Sequence, residues 1–245
     1  MKSVMRELAQ ATRHHSTLPL FEFLRSEAVP ARERLGFAPC LAPWIMAYAD
    51  LAHALFSDPA SGDPCQKLIN EQARNGDQRL SWYLEDLRKL GFDHTTSVTQ
   101  SLRALAREET RGLRLLGPRL AQILHGARPV EKLVLLESIE AVDGVLFEHT
   151  AKLAARIHAE GGPGLRFFGG ARLTHPVEAE SRILRRHALE LVELTPLERI
   201  HCLDMAFRVF DMFADTSAEL LAHARQALAQ RSVPRLVHTA LKSAT

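Results

Sequence analysis

Cysteine is scarce and unpaired. Cys40, Cys65 and Cys202 are widely spaced, which excludes a disulfide framework and points to a reducing compartment. An excess of either charge is lacking too. With 31 basic residues against 29 acidic ones, the global field favours neither nucleic acid nor an anionic membrane. The opening MKSVMRELAQATRHH has no apolar core of the kind a secretion signal needs, so a cytoplasmic location is expected. No stretch alternates apolar and polar residues as a half-buried strand does, and no internal repeat or low-complexity linker divides the chain. Chemical signatures are equally sparse. GGPGLRFFGG (161–170) lacks the Gly-Lys-Ser/Thr ending of a phosphate loop and reads as an interhelix turn. No cysteine lies in a nucleophile motif, and no Ser–His–acid order stands out.

What is present is helical periodicity. The 245 residues are 46% hydrophobic and 24% charged, ordinary values for a soluble chain long enough to bury a core. The longest apolar run, FAPCLAPWIMAYADLAHALF (37–56), has the length of a membrane span, but Pro43, Asp50 and His53 favour a buried core helix. Apolar spacing predicts helices over 17–27, 31–57, 64–91, 95–107, 110–126, 129–160, 174–194 and 196–230. The punctuation agrees: Asp63 as cap with Pro64 at the first helical position, breaks at Gly117–Pro118 and at Ala127–Arg128–Pro129, GGPG ending the sixth helix, and a capped restart at Thr195–Pro196–Leu197–Glu198. Short loops make these helices neighbours, so residues 1–245 are expected to form one all-α domain with a core spanning about 18–230.

Within NEQARNGDQRLSWYLEDLRKLG (70–91), Glu71, Asn75, Gln78 and Trp82 recur at i, i+4, i+7 and i+11 and share one helical face. Glu140 sits mid-stripe among Leu133, Leu136, Gly144 and Phe147, where an unpaired carboxylate would be costly. In helix 174–194, Thr174, Glu178 and Ser181 flank an apolar face of Val177, Leu184, Ala188 and Leu191. Acids projecting from three helices of one bundle are how carboxylate-bridged di-iron sites are assembled, although such acids also pair with arginines. His175–Glu178, His187–Glu190 and His201–Asp204 are chelating pairs by spacing, and Glu148–His149 and Asp77 lie nearby in the sequence. Arg182, Arg185 and Arg186 form a small basic face that reads as solvated.

The chain resembles the haem-oxygenase-like di-iron oxidases, the group of iron-containing redox enzymes. The likeness is carried by the 70–91 helix, LPLFEFLRSE, ERLGFAPCLAPWIMAYADL, LLESIEAVDGVLFEHTAKLA and the FFGG before a polar helix. It spans residues about 18 to 190 and keeps the order of elements. The resemblance implies a haem-oxygenase-like helical bundle around a central cavity, with metals held by a Glu, a His seven residues later, a central Glu and a His-x-x-x-acid-x-x-His helix. Carried over by position, the acids are Glu71, Glu140 (Glu137 as a shifted alternative) and Glu178. The three imidazoles become Gln78, Thr174 and Ser181, while the frames Arg172/Pro176/Ala179 and His175/Ala179/Arg182 lose the acid. The neighbours, usually His in that family, are Gln72 and Arg79.

Gln, Thr and Ser are weak ligands for Fe(II), yet they are polar, and an abandoned pocket would fill with apolar residues. The expected function is therefore that of a relative of the non-haem oxidases of small-molecule biosynthesis, with an impaired or remodelled metal site and a retained polar pocket. That pocket comprises Glu71, Asn75, Gln78, Trp82, Glu140, Thr174, Glu178 and Ser181. The alternatives are an active O₂-dependent oxidase holding iron through Glu71, Glu140, Glu178 and a recruited His175, or a non-catalytic ligand-binding or partner protein. The cofactor is none or non-haem iron. Haem is not expected, because the sequence after ATRHH (11–15) does not follow haem oxygenase and these histidines read as exposed. Expected partners are a small-molecule ligand or substrate and a biosynthetic partner protein. Helix 31–57, with Trp44, is apolar enough to suggest a homodimer.

Overall fold

Helix follows helix along the chain, and no strand occurs among the described residues of the computed structural model, which are 1–74, 78–93, 97–171 and 176–242. Of residues 73, 74, 78, 98, 104, 176–182 and 231–242 only the backbone is described. The helices are α1 (Lys2–His15), α2 (Pro19–Arg25), α3 (Ala31–Arg34), α4 (Ala42–Leu51), α5 (Pro64–Arg74), α6 (Gln78–Lys89), α7 (Val98–Leu105), α8 (Arg111–Leu124), α9 (Pro129–Ala159), α10 (Pro176–Leu191) and α11 (Pro196–Lys242).

Local signals set many of the ends. The Asp63 carboxylate accepts from the amides of Cys65 at 2.8 Å and Gln66 at 3.1 Å, closing the start of α5 as its Asp-Pro sequence predicts. Glu198 accepts from the Thr195 amide at 2.9 Å while its own amide donates to the Thr195 hydroxyl at 3.3 Å, a reciprocal cap for α11. Gly161, at φ +82°, supplies the left-handed residue after α9.

Three expectations are corrected. Residues 2–15, outside the expected helices and with their histidines read as exposed, form α1, in which Val4, Leu8 and His15 are buried; of its two histidines only His14 is exposed. The single helix over 31–57 is four pieces: α3, a 3₁₀ turn over Ala38–Leu41, α4, and a π turn over Ala52–Phe56. Prolines without an amide hydrogen break and restart it at Pro39 and Pro43. Ala31–Phe56 is apolar enough to cross a membrane by length and composition, but Trp44 is turned inward at 2% exposure, edge-on to Tyr48 and Phe213. Finally, Gly117–Pro118 does not interrupt α8. Pro118 faces solvent, where a bent helix can hydrate the carbonyl it leaves free.

Helix α9 is the centre. It is buried along most of its length and packs against α11, α5, α1, α2 and α3, while α4 lies against α8 and α10 against α5. The buried stripe Ala206, Val209, Phe213, Leu220 and Ala224 of α11 faces this centre. The start of α8 has no cap from its own sequence. Glu219 of α11 supplies one, accepting from the amides of Gly112 at 2.7 Å and Leu113 at 3.1 Å.

Gly117 marks the closest crossing of α4 and α8: a Cβ there would lie 2.5 Å from the Cβ of Ala47. Both atoms are fixed to backbone, so the helices must separate to admit it. Gly117→Ala gains about 1 kcal/mol of helix propensity, but the clash outweighs that. A net loss of about 1–3 kcal/mol is expected in urea denaturation.

Candidate functional site

The polar centre is built on one face of α9, where Glu137, Glu140 and Asp143 follow at i, i+3 and i+6. Opposite them stand Gln72 of α5, Arg79 of α6 and Arg185 of α10. The Arg185 guanidinium is almost fully enclosed, with its side chain 1% exposed. Its Nε donates to Glu137 and one Nη to Glu140, and the other Nη donates to Gln72 Oε1 at 2.9 Å. The planar guanidinium presents its donors as a fixed fork, so one cation serves three acceptors from two helices. Burial pushes the Glu137 carboxyl up, and the nearby Arg185 offsets only part of that. Burial equally opposes charge on Arg185, but Glu140 and Glu137 outweigh it and hold the guanidinium above its usual value.

A second pair sits beside the first. Arg79 Nη2 donates to Asp143 Oδ2 at 2.6 Å, both side chains below 10% exposed. The guanidinium lies 4.7 Å from the ring centre of Tyr48 and 5.7 Å and 5.9 Å from those of Phe147 and Phe167. Its Nε and other Nη have no hydrogen-bond partner among the described residues, so the aromatic faces supply their compensation. Below them, Asp86 accepts from the amides of Arg166 and Phe168, each at 2.9 Å. The Asp-Leu near the end of α6 thereby anchors the FFGG turn and the aromatic packing of Tyr83, Phe167 and Phe168.

The face expected to point inward is displaced by one residue. Glu71 is exposed, whereas Gln72 is 7% exposed and Arg79 likewise 7%. Trp82 is half-buried at the edge, under the Arg166 guanidinium at 4.8 Å. Asn75, Thr174 and His175 lie outside the described residues, as do the side chains of Gln78, Glu178 and Ser181. Of the expected pocket residues whose side chains are described, Glu140 reaches the polar centre, and Glu137, weighed as its shifted alternative, joins it. On α10 the expected apolar face also rotates: Leu184 and Leu191 are 55% and 84% exposed, while Arg185 and Leu189 are 1% and 0%. The solvated basic face is thus corrected, since one of its arginines is the most enclosed cation of the centre. Of the other chelating pairs, His187, Glu190, His201 and Asp204 are exposed, and Asp77 lies outside the described residues. His149 is buried and stacked on Phe21 at 5.2 Å, while Glu148 pairs with Lys152.

The described residues of the polar centre do not by themselves make a di-iron ligand set. The two inward glutamates already hold a cation, Glu71 faces water, and no imidazole joins the cluster among the described residues. Among them no group of three His, Cys, Asp or Glu side chains is disposed to take a metal. A metal ion between Glu137 and Glu140 would meet the positive charge of Arg185.

The inward phase of α5 and α6 could have been read from Ile69, Tyr83 and Leu90, which are at most 2% exposed and recur at heptad spacing with Gln72, Arg79 and Asp86. Arg185 carried one signal, its position four residues before Leu189. No family model matches the chain, and no curated protein is similar to it.

Proposed function

We propose that this chain is a metal-independent, small-molecule-binding protein built on a haem-oxygenase-like helical plan, in which an arginine has taken the place of the metal. One observation carries the reading. The guanidinium of Arg185 bridges Glu137 and Glu140, on the stretch of α9 where the resemblance puts a metal-binding carboxylate. One guanidinium balances the charge of one carboxylate and hydrogen-bonds both, so in this reading the acids serve stability and shape. A polar centre locked in this way does not open to O₂ chemistry, and no oxidase step is assigned to it.

The test is an anaerobic Fe(II) titration of the whole chain. The expected result is no stoichiometric binding, with Glu140→Ala no different from the parent in iron content. Tight iron binding abolished by Glu140→Ala would overturn the reading. It would return the oxidase with Glu71, Glu140, Glu178 and a recruited His175.

A further inference from the structure

The interior void bordered by Trp44, Val142 and Phe213 measures only about 30 Å³, about the room for one water. A larger space lies between α1 and α11. This half-open groove holds about 310 Å³ and is lined among others by Glu7, His14, His15, Phe207, Phe210 and Asp211, within the roughly 300–1,000 Å³ of small-molecule sites.

Its walls are of two kinds. Phe210 is buried and Phe207, 41% exposed, lies along the opening, giving an aromatic lining. Glu7 and Asp211 lie on facing helices and have no ion-pair partner among the described residues, and no Lys or Arg lines the groove. Two carboxylates without a counter-ion beside aromatic rings are complementary to a cation that carries its own apolar body. At the floor is His15, only 4% exposed. Its ring packs on Phe21 at 5.3 Å and Phe210 at 6.0 Å, and neither ring nitrogen hydrogen-bonds a described residue. His15 is one of the residues lining the groove, so its ring is placed to meet a polar atom of a ligand. Burial, reinforced by the neighbouring His14, holds the imidazole near 4, so at neutral pH it is uncharged and does not repel a cation.

We infer that the α1–α11 groove is a binding site for a small organic cation, an ammonium group attached to an aromatic or branched apolar body. The ammonium sits between Glu7 and Asp211, the apolar body lies on Phe207 and Phe210, and His15 hydrogen-bonds a polar atom of the ligand. This rests on the ligand-binding reading but not on the arginine-filled centre, so the two fail separately: iron titration decides one, and the groove is decided as follows.

The probe is 2-phenylethylamine, titrated calorimetrically into the full chain at neutral pH, with 2-phenylethanol and phenylacetate as neutral and anionic comparisons. The expected result is saturable one-site binding of the amine, at least about tenfold tighter than the alcohol, with no binding of phenylacetate. Glu7→Gln combined with Asp211→Asn is expected to weaken the amine at least about tenfold and leave the alcohol unchanged. Because that variant must also stay folded, the ring signals of His15 and Phe210 are followed by NMR in the unmodified chain. They are expected to shift on saturation with the amine. Equal binding of amine and alcohol, absence of saturable binding, or shifts confined to other rings would overturn the assignment.

Discussion

Replacing Arg185 with methionine is expected to destabilise the fold by about 3–5 kcal/mol, a large part of the stability of a domain this size. The side chain keeps much of its volume, so the loss is electrostatic. Glu137 and Glu140 would remain beside one another on α9 without the guanidinium that serves both, and Gln72 would lose the donor at 2.9 Å. The pH dependence has a definite sign. Burial already pushes Glu137 above its ordinary value of 4.5, and loss of the cation pushes it further. A carboxyl whose folded value is raised contributes stability below its unfolded value and loses it as pH rises through the folded one. The deficit of Arg185→Met is therefore largest at neutral pH and narrows on acidification towards 4.5. Adding Glu137→Gln and Glu140→Gln should recover most of it at neutral pH, because neutral amides remove the repulsion. Urea denaturation of the parent, single and triple variants at both pH values reads all of this. A single variant as stable as the parent at neutral pH would mean that the acids find other partners, and that Arg185 is not what holds the centre.

Asp86→Ala is the second large effect, expected at about 2–4 kcal/mol. The carboxylate is the shared acceptor of two amides in the turn after α9, at Arg166 and Phe168, and Phe168 is fully buried. Alanine leaves both N–H groups without an acceptor and opens space beneath Tyr83. Asp86→Asn keeps one acceptor oxygen but turns an amino group towards the other N–H, so an intermediate loss is expected. Burial drives the Asp86 carboxyl upward while the two backbone donors pull it down, and burial prevails. Denaturation gives the energies, and the near-ultraviolet circular dichroism of the Tyr83–Phe167–Phe168 cluster gives the loosening. A loss under about 1 kcal/mol would show that water reaches the two amides.

The contrast between these positions explains what a single sequence discloses. Helix content and several ends are legible because their causes are local: Asp63 before Pro64, Thr195 three residues before Glu198, a glycine where α9 must turn left-handed. The phase of a helix is less so when its inward face is polar. Gln72, Arg79 and Arg185 carry the centre, yet each belongs to a residue type that usually marks the outside. Their burial follows from partners on α9 and, for Gln72, on α10, contacts 45 to 113 residues away that no local pattern contains. Glu140 was legible because an acid amid Leu133, Leu136 and Phe147 conflicts with its stripe. Helix α1 escaped because its core-facing residues Val4, Leu8 and His15 are few and one of them is an imidazole. The groove beside it was illegible for the same reason, since its second wall belongs to α11.

The carboxylate of Glu219 that closes α8 has a further consequence for the order of events during synthesis. Gly112 lies 107 residues before the side chain that accepts its amide hydrogen. While the chain is being made, the first turn of α8 has only water for a partner, and a short helix without its cap is marginal. A segment from the middle of the chain is thus completed only once α11 arrives, so the nascent protein cannot accumulate finished structure from the amino terminus onward.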